Sequence, residues 1–256
     1  MAGFAILLRK EWLESWRTYR LLVVAALFLF VGISSPLLAR YLPEILKAAG
    51  GDQLGIVQLP TPTSADAVAQ LWKNLAQFGA FAAILLAMGS VAGEKDRGTA
   101  AFILSKPATR GAFLGAKFLT IALVLGLATA IAVVTGWVYT AILFAPPSAG
   151  AWVLMGVLAW LGLVAWAAIT FLASAVTGST AAAAGVGFLA LLVLSLLAAI
   201  PALGAYLPSG LATPALAVAG GGPVEALDVI KPVVATVTLV FAALAIALWS
   251  FRRQEL

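Results

Sequence analysis

Residues 118–144 read FLTIALVLGLATAIAVVTGWVYTAILF, a run without one charged side chain. A helix of ~20 mostly apolar residues crosses a hydrocarbon core ~30 Å thick, so this run is long enough to span a bilayer. Directly before it, residues 94–117 read EKDRGTAAFILSKPATRGAFLGAK and hold seven charges: Glu94, Lys95, Asp96, Arg97, Lys106, Arg110 and Lys117. Apolar run and charged island together set the reading of the whole chain.

Five further stretches match the first in character: 21–39, 75–92, 152–173, 181–200 and 233–251, none with a Lys, Arg, Asp or Glu. Of the 256 residues, 63% are hydrophobic and 10% charged, against roughly 45–50% apolar residues in soluble domains. The expected fold is an all-α integral membrane protein, a bundle of six transmembrane helices in a single domain over 1–256. The apolar runs and their connectors take up nearly all of the chain, so a separate soluble catalytic domain is not expected. MAGFAILLRKEW at the start places its charges after a short apolar run, which argues against a cleaved signal peptide.

The basic residues orient the bundle. With the N-terminus in the cytoplasm, eleven fall inside (Arg9, Lys10, Arg17, Arg20, Lys95, Arg97, Lys106, Arg110, Lys117, Arg252 and Arg253) and four outside (Arg40, Lys47, Lys73 and Lys231). Both termini are then cytoplasmic, and 94–117 is a cytoplasmic loop. The net charge of +5 is explained by this topology, and nucleic acid is not an expected partner.

Three connectors have their own character. Residues 4–20 form an amphipathic helix, with Leu8, Trp12, Trp16 and Tyr19 toward lipid and Arg9, Lys10, Glu14, Arg17 and Arg20 turned away. The first outer loop predicts a short helix from Ser64 to Lys73, with Asp66 near its start. Residues 201–232 are apolar, but Pro201, Pro208, Pro214 and Pro223 with Gly220–Gly222 break any spanning helix. Short helices dipping into the outer leaflet before the last crossing are expected instead.

Enzyme chemistry is poorly represented. The chain has no cysteine and no histidine, which removes thiolate nucleophiles, imidazole bases and the commonest metal ligands. GEKDRGT at 93–99 has the glycine spacing of a phosphate-binding loop, but Thr99 stands where the lysine must be. Ser90 in MGSVAG has a glycine one place too close for a hydrolase elbow. Crossings without ionisable groups also disfavour a proton- or ion-coupled secondary transporter, although backbone carbonyls at broken helices can hold sodium. A membrane scaffold or assembly factor stays open on these grounds.

The island has the form of a docking element. Glu94 to Arg97 close the second crossing, Gly98 permits a turn, and Thr99 caps a short apolar helix presenting Phe102, Ile103 and Leu104. Ser105 and Lys106 end that helix, and Pro107 stops it. Thr109 then starts the helix that runs through Arg110 and Lys117 into the third crossing.

This succession resembles the permease subunits of type 2 ABC exporters: Gly93, Glu94, Arg97, Gly98, Thr99, Leu104, Ser105, Pro107, Arg110, Gly115 and Lys117. Ala100, Ala101, Ala108 and Thr109 depart from the common pattern. The resemblance implies a permease in a prokaryotic cytoplasmic (inner) membrane that works in a homodimer. It implies two copies of an ATP-binding subunit that hold ATP and magnesium, with no cofactor and no catalysis on this chain. Thr99–Lys106 would be the coupling helix that docks on the ATPase, flanked by Glu94 and Arg97. Polar and aromatic residues within crossings, Gln77, Ser90, Thr129, Thr135, Tyr139 and Thr170, are candidates to line a substrate path, with helix packing as the alternative role.

Overall fold

The computed structural model describes residues 2–48, 61–99 and 109–254, and every regular element among them is helical. Six helices are long and apolar enough to cross a membrane: Arg20–Ile45, Ser64–Asp96, Arg110–Leu143, Ala149–Val176, Thr180–Ala198 and Ala226–Arg252. The chain is an all-α membrane bundle.

Helix α1 (Ala2–Arg17) precedes α2 (Arg20–Ala48). Tyr19 turns the chain between them at φ 58°, in the left-handed region, where a residue with a side chain sits at a cost of about 1–2 kcal/mol. Two prolines, Pro36 and Pro43, lie within α2.

The second crossing differs from its sequence reading. Helix α3 (Ser64–Asn74) passes through a π-turn at Leu75–Gly79 into α4 (Ala80–Met88) without a break. The short helix expected in the outer loop is therefore the upper part of the crossing itself. Its start is set by Thr63, whose N–H and hydroxyl both donate to Asp66 Oδ2 at 2.8 Å. The polar residues that made this stretch look like a loop have partners: Asn74 donates to Ser35 Oγ on α2 (2.9 Å), and Gln70 donates to Asn74 (3.2 Å).

After a turn at Gly89–Val91 come α5 (Ala92–Asp96), α6 (Arg110–Leu143), α7 (Ala149–Val176) and α8 (Thr180–Ala198). Thr109 Oγ1 accepts from Ala112 N–H (3.1 Å) to open α6, and Ser179 Oγ accepts from Ala182 N–H (3.3 Å) to open α8. The apolar stretch after α8 folds into α9 (Pro201–Gly204), a 3₁₀ turn (Pro208–Leu211) and α10 (Ala212–Ala219). Helix α11 (Ala226–Arg252) then begins seven residues before the expected start of the last crossing at 233, with Pro232 buried in its second turn.

Helix α7 is the hub, packed against α4, α6, α8, α10 and α11, while α2 lies along α6. Phe28, Leu125, Trp152, Met155 and Phe171 are fully buried between these helices. The α2–α6 contact depends on Gly32, where a Cβ would lie 2.0 Å from Thr135 Oγ1 and 2.7 Å from the Ala132 carbonyl. Thr135 donates to its own helix at Ile131 O (2.7 Å) and packs on Gly32. Gln77 is exposed on the π-turn. Tyr139 is half-buried one turn further along α6.

Candidate functional site: the anchored end of the bundle

The charged island meets the bundle at two fixed feet. On the first side, Ser174 Oγ of α7 accepts from the N–H groups of Val91 (3.1 Å) and Ala92 (2.9 Å) and donates to Met88 O (2.8 Å). One serine thus satisfies the backbone where α4 ends and α5 begins. Lys95 donates to the carbonyls of Ala175 and Thr177 at the end of α7, the helix end that favours a cation. Gly98 at φ 67° makes the turn out of α5, a conformation that favours glycine. Arg97 Nε reaches back to Gly93 O (2.8 Å), and Thr99 Oγ1 to Glu94 O (3.2 Å).

On the second side, Arg110 opens α6 and donates to the carbonyls of Phe251 (2.7 Å), Arg252 (2.8 Å) and Gln254 (3.0 Å) at the end of α11. Phe251 joins the two feet. Its ring is fully buried and stacks on Phe113 with centroids 5.7 Å apart, while Lys95 and Arg110 approach it at 5.5 and 5.9 Å. Phe102, Ile103, Leu104, Ser105, Lys106 and Pro107 lie outside the described residues.

Between the feet and α1 sits an ion cluster that sequence reading missed. Lys10 Nζ lies 2.8 Å from Glu11, 3.0 Å from Glu14 and 2.9 Å from Glu94. Lys117 Nζ lies 2.9 Å from Glu11 and 2.7 Å from Glu94. Glu94 and Lys117 are 5% and 4% exposed, so this is a buried pair, strongly destabilising to break from one side. Glu94 Oε2 has no hydrogen-bond partner among the described residues, and Glu94 lines a cavity of about 30 Å³ together with Arg20 and Arg97. The space admits one or two waters.

Three carboxylates this close resemble a cation site, with one ligand oxygen from each of Glu11, Glu14 and Glu94 within 4.8 Å of the others. The position a metal would take is held by the Lys10 ammonium, which bonds all three. Burial pulls the Lys10 ammonium toward neutrality, but its hydrogen bonds to Glu11 and Glu94 outweigh this and hold it above the ordinary lysine range. Burial likewise pushes Glu14 up, and the Lys10 hydrogen bond and charge overcome it, leaving the carboxyl below its usual value.

The cluster corrects the expected facing of α1. Lys10 and Glu14, read as turned toward headgroups, point into the protein with Glu11. Leu8 and Trp12 are half-buried, Trp12 packing on the core, whereas Trp16 and Tyr19 are 63% and 68% exposed. The four do not form one lipid stripe. The signal in the sequence was Glu11 and Glu14 themselves, the two acids of an otherwise basic segment, which need cationic partners.

An all-α bundle with six helices fit to cross a bilayer is a multi-pass membrane protein. The chain belongs to the ABC-2 family transporter proteins, whose profile matches residues 5–216. It is a permease subunit of an ABC transporter, a membership that implies association with an ATP-binding subunit and with the membrane. The chain is also similar to the uncharacterized transmembrane protein YxlG of Bacillus subtilis (strain 168), with 29% identity over 192 residues that cover 72% of each chain.

Proposed function

We propose that this permease, a single domain over 1–256, works in an exporter driven by a separate ATP-binding subunit, and that residues 94–110 receive the force. The observation that carries this reading is the double anchorage of that segment: Lys95 on the end of α7, Arg110 on the end of α11, and Phe251 between them. A segment fixed at both ends to the hub helix and the last crossing transmits a push into the bundle. The ion cluster ties α1 to the same place, so α1 follows the loop.

In this reading the anchored end faces the cytoplasm of a prokaryotic inner membrane, with both termini on that side. Thr99–Lys106 docks in the ATPase through Phe102, Ile103 and Leu104, since buried apolar anchors dominate interfaces. ATP and magnesium are held by two copies of that partner, and this chain performs no covalent step. A second permease chain packs on α8, whose crossing window is 11% buried within one chain. Val186, Leu189, Leu192 and Leu196 stand exposed along it.

The test is capture. The tagged full chain, coexpressed with its cognate ABC ATP-binding subunit, is expected to retain that subunit through purification. Replacing Phe102, Ile103 and Leu104 together with serine is expected to abolish retention while membrane insertion persists. Retention by the triple variant would overturn the docking site, and a reporter at Ser105 found outside the cell would overturn the orientation.

A further inference from the structure

The elbow between α1 and α2 carries a feature that the docking loop does not use. Thr18, Tyr19 and Arg20 stand at one end of a groove of about 410 Å³ between α2 and α4. Its walls are apolar, with Val23 and Leu27 on one side and Phe78, Phe81 and Leu85 on the other. From Arg20 to Leu27 it runs about 10 Å at 1.5 Å per residue, most of the depth of one leaflet in a core ~30 Å thick.

Arg20 is the charged residue of its lining. Glu11 and Glu14 turn inward to Lys10 and Lys117, whereas Arg9, Arg17 and Arg20 are exposed. Every exposed charge of α1 and the elbow is therefore positive. An apolar slot with a guanidinium at headgroup level complements an amphiphile with a negative head and a hydrocarbon tail, because guanidinium forks pair with phosphate oxygens.

We propose that this groove holds one anionic glycerophospholipid of the leaflet in which α1 lies, its acyl chain between α2 and α4 and its phosphate beside Arg20. That leaflet is the cytoplasmic one on the orientation proposed above. The lipid's chemistry does not depend on that orientation, and no ATPase takes part in the test.

The full chain is reconstituted in vesicles of phosphatidylcholine containing a trace of photoreactive lipid, either phosphatidylglycerol or phosphatidylcholine with the reactive group on the acyl chain. Labelled peptides are then mapped. Phosphatidylglycerol is expected to label 23–27 and 78–86 about fivefold more than phosphatidylcholine, the factor that one interfacial arginine supplies. Arg20→Gln is expected to remove that preference while leaving phosphatidylcholine labelling unchanged. Val23→Trp, at an exposed wall position, is expected to reduce labelling by both lipids. Equal labelling by the two lipids in the unaltered chain would overturn the proposal, as would a preference that survives Arg20→Gln. Efficient disulfide pairing of Val23→Cys between two chains, with the groove peptides unlabelled, would assign the groove to a second copy instead.

Discussion

Five of the six crossings fall into two groups, with Arg20–Ile45 between them at 39% buried. In Ser64–Asp96, Arg110–Leu143 and Ala149–Val176 the most apolar window is 56% buried, whereas in Thr180–Ala198 it is 11% and in Ala226–Arg252 22%. The first group forms a block with its own polar fastenings: the Lys10–Glu94–Lys117 cluster, the Ser174 bonds at the α4–α5 turn, and Asn74 on Ser35. Helix α8 has a cap at its start and little else. The difference separates the part of the chain that holds its own shape from the part that presents surface to others.

The largest effect expected within the block comes from Lys117→Ala, which leaves Glu94 buried with only the partly exposed Lys10. A loss of about 3–5 kcal/mol is expected, read by denaturant unfolding of the purified chain. Combining it with Glu94→Gln should restore part of that loss, and additive losses would show that the two side chains do not act as a pair.

A smaller effect concerns the docking of α1. Glu14 sits below its ordinary carboxyl value of 4.5, so its contribution is present above that pH and is lost as pH falls through its lowered native value. Lys10 is raised above 10.5, so its contribution is complete below that pH and is lost as pH rises through its raised native value. Docking of α1 is thus expected to be flat between these limits and to weaken beyond each, by under about 1 kcal/mol for groups this exposed. Trp12 fluorescence in a chain whose other tryptophans are replaced by phenylalanine would follow it. A change centred between the limits would assign α1 to other contacts.

The smallest effect belongs to the open side. Leu192→Ala on α8 is expected to alter the stability of the isolated chain by no more than about 0.5 kcal/mol, by the same unfolding measurement. A loss as large as that of Lys117→Ala would place α8 inside the block and erase the distinction.

The crossings were legible because length and absence of charge are properties of consecutive residues. All six sequence runs overlap a helix of the structure. What neighbours in sequence do not report is where a polar group finds its partner. Asn74 fell at the end of the expected outer loop, yet it bonds Ser35, 39 positions away. Lys10 and Glu94 are 84 positions apart, and Glu11 and Lys117 are 106 apart, so the ion cluster is invisible to periodicity. Helical spacing on α1 identified an amphipathic segment and turned its charges away from the apolar face, whereas the partners of Lys10 and Glu11 lie on α5 and α6, beyond the reach of a local pattern.

The two feet of the charged loop rest on the carboxyl ends of α7 and α11, the fourth and sixth crossings, and on neither end of α2. In the coupling proposed above, a load on the loop would be shared by those two columns, with Phe251 as a washer between them. On that reading the two columns would tilt together, and the first crossing would take up the stroke second-hand, through α3, α6 and the α1 strut.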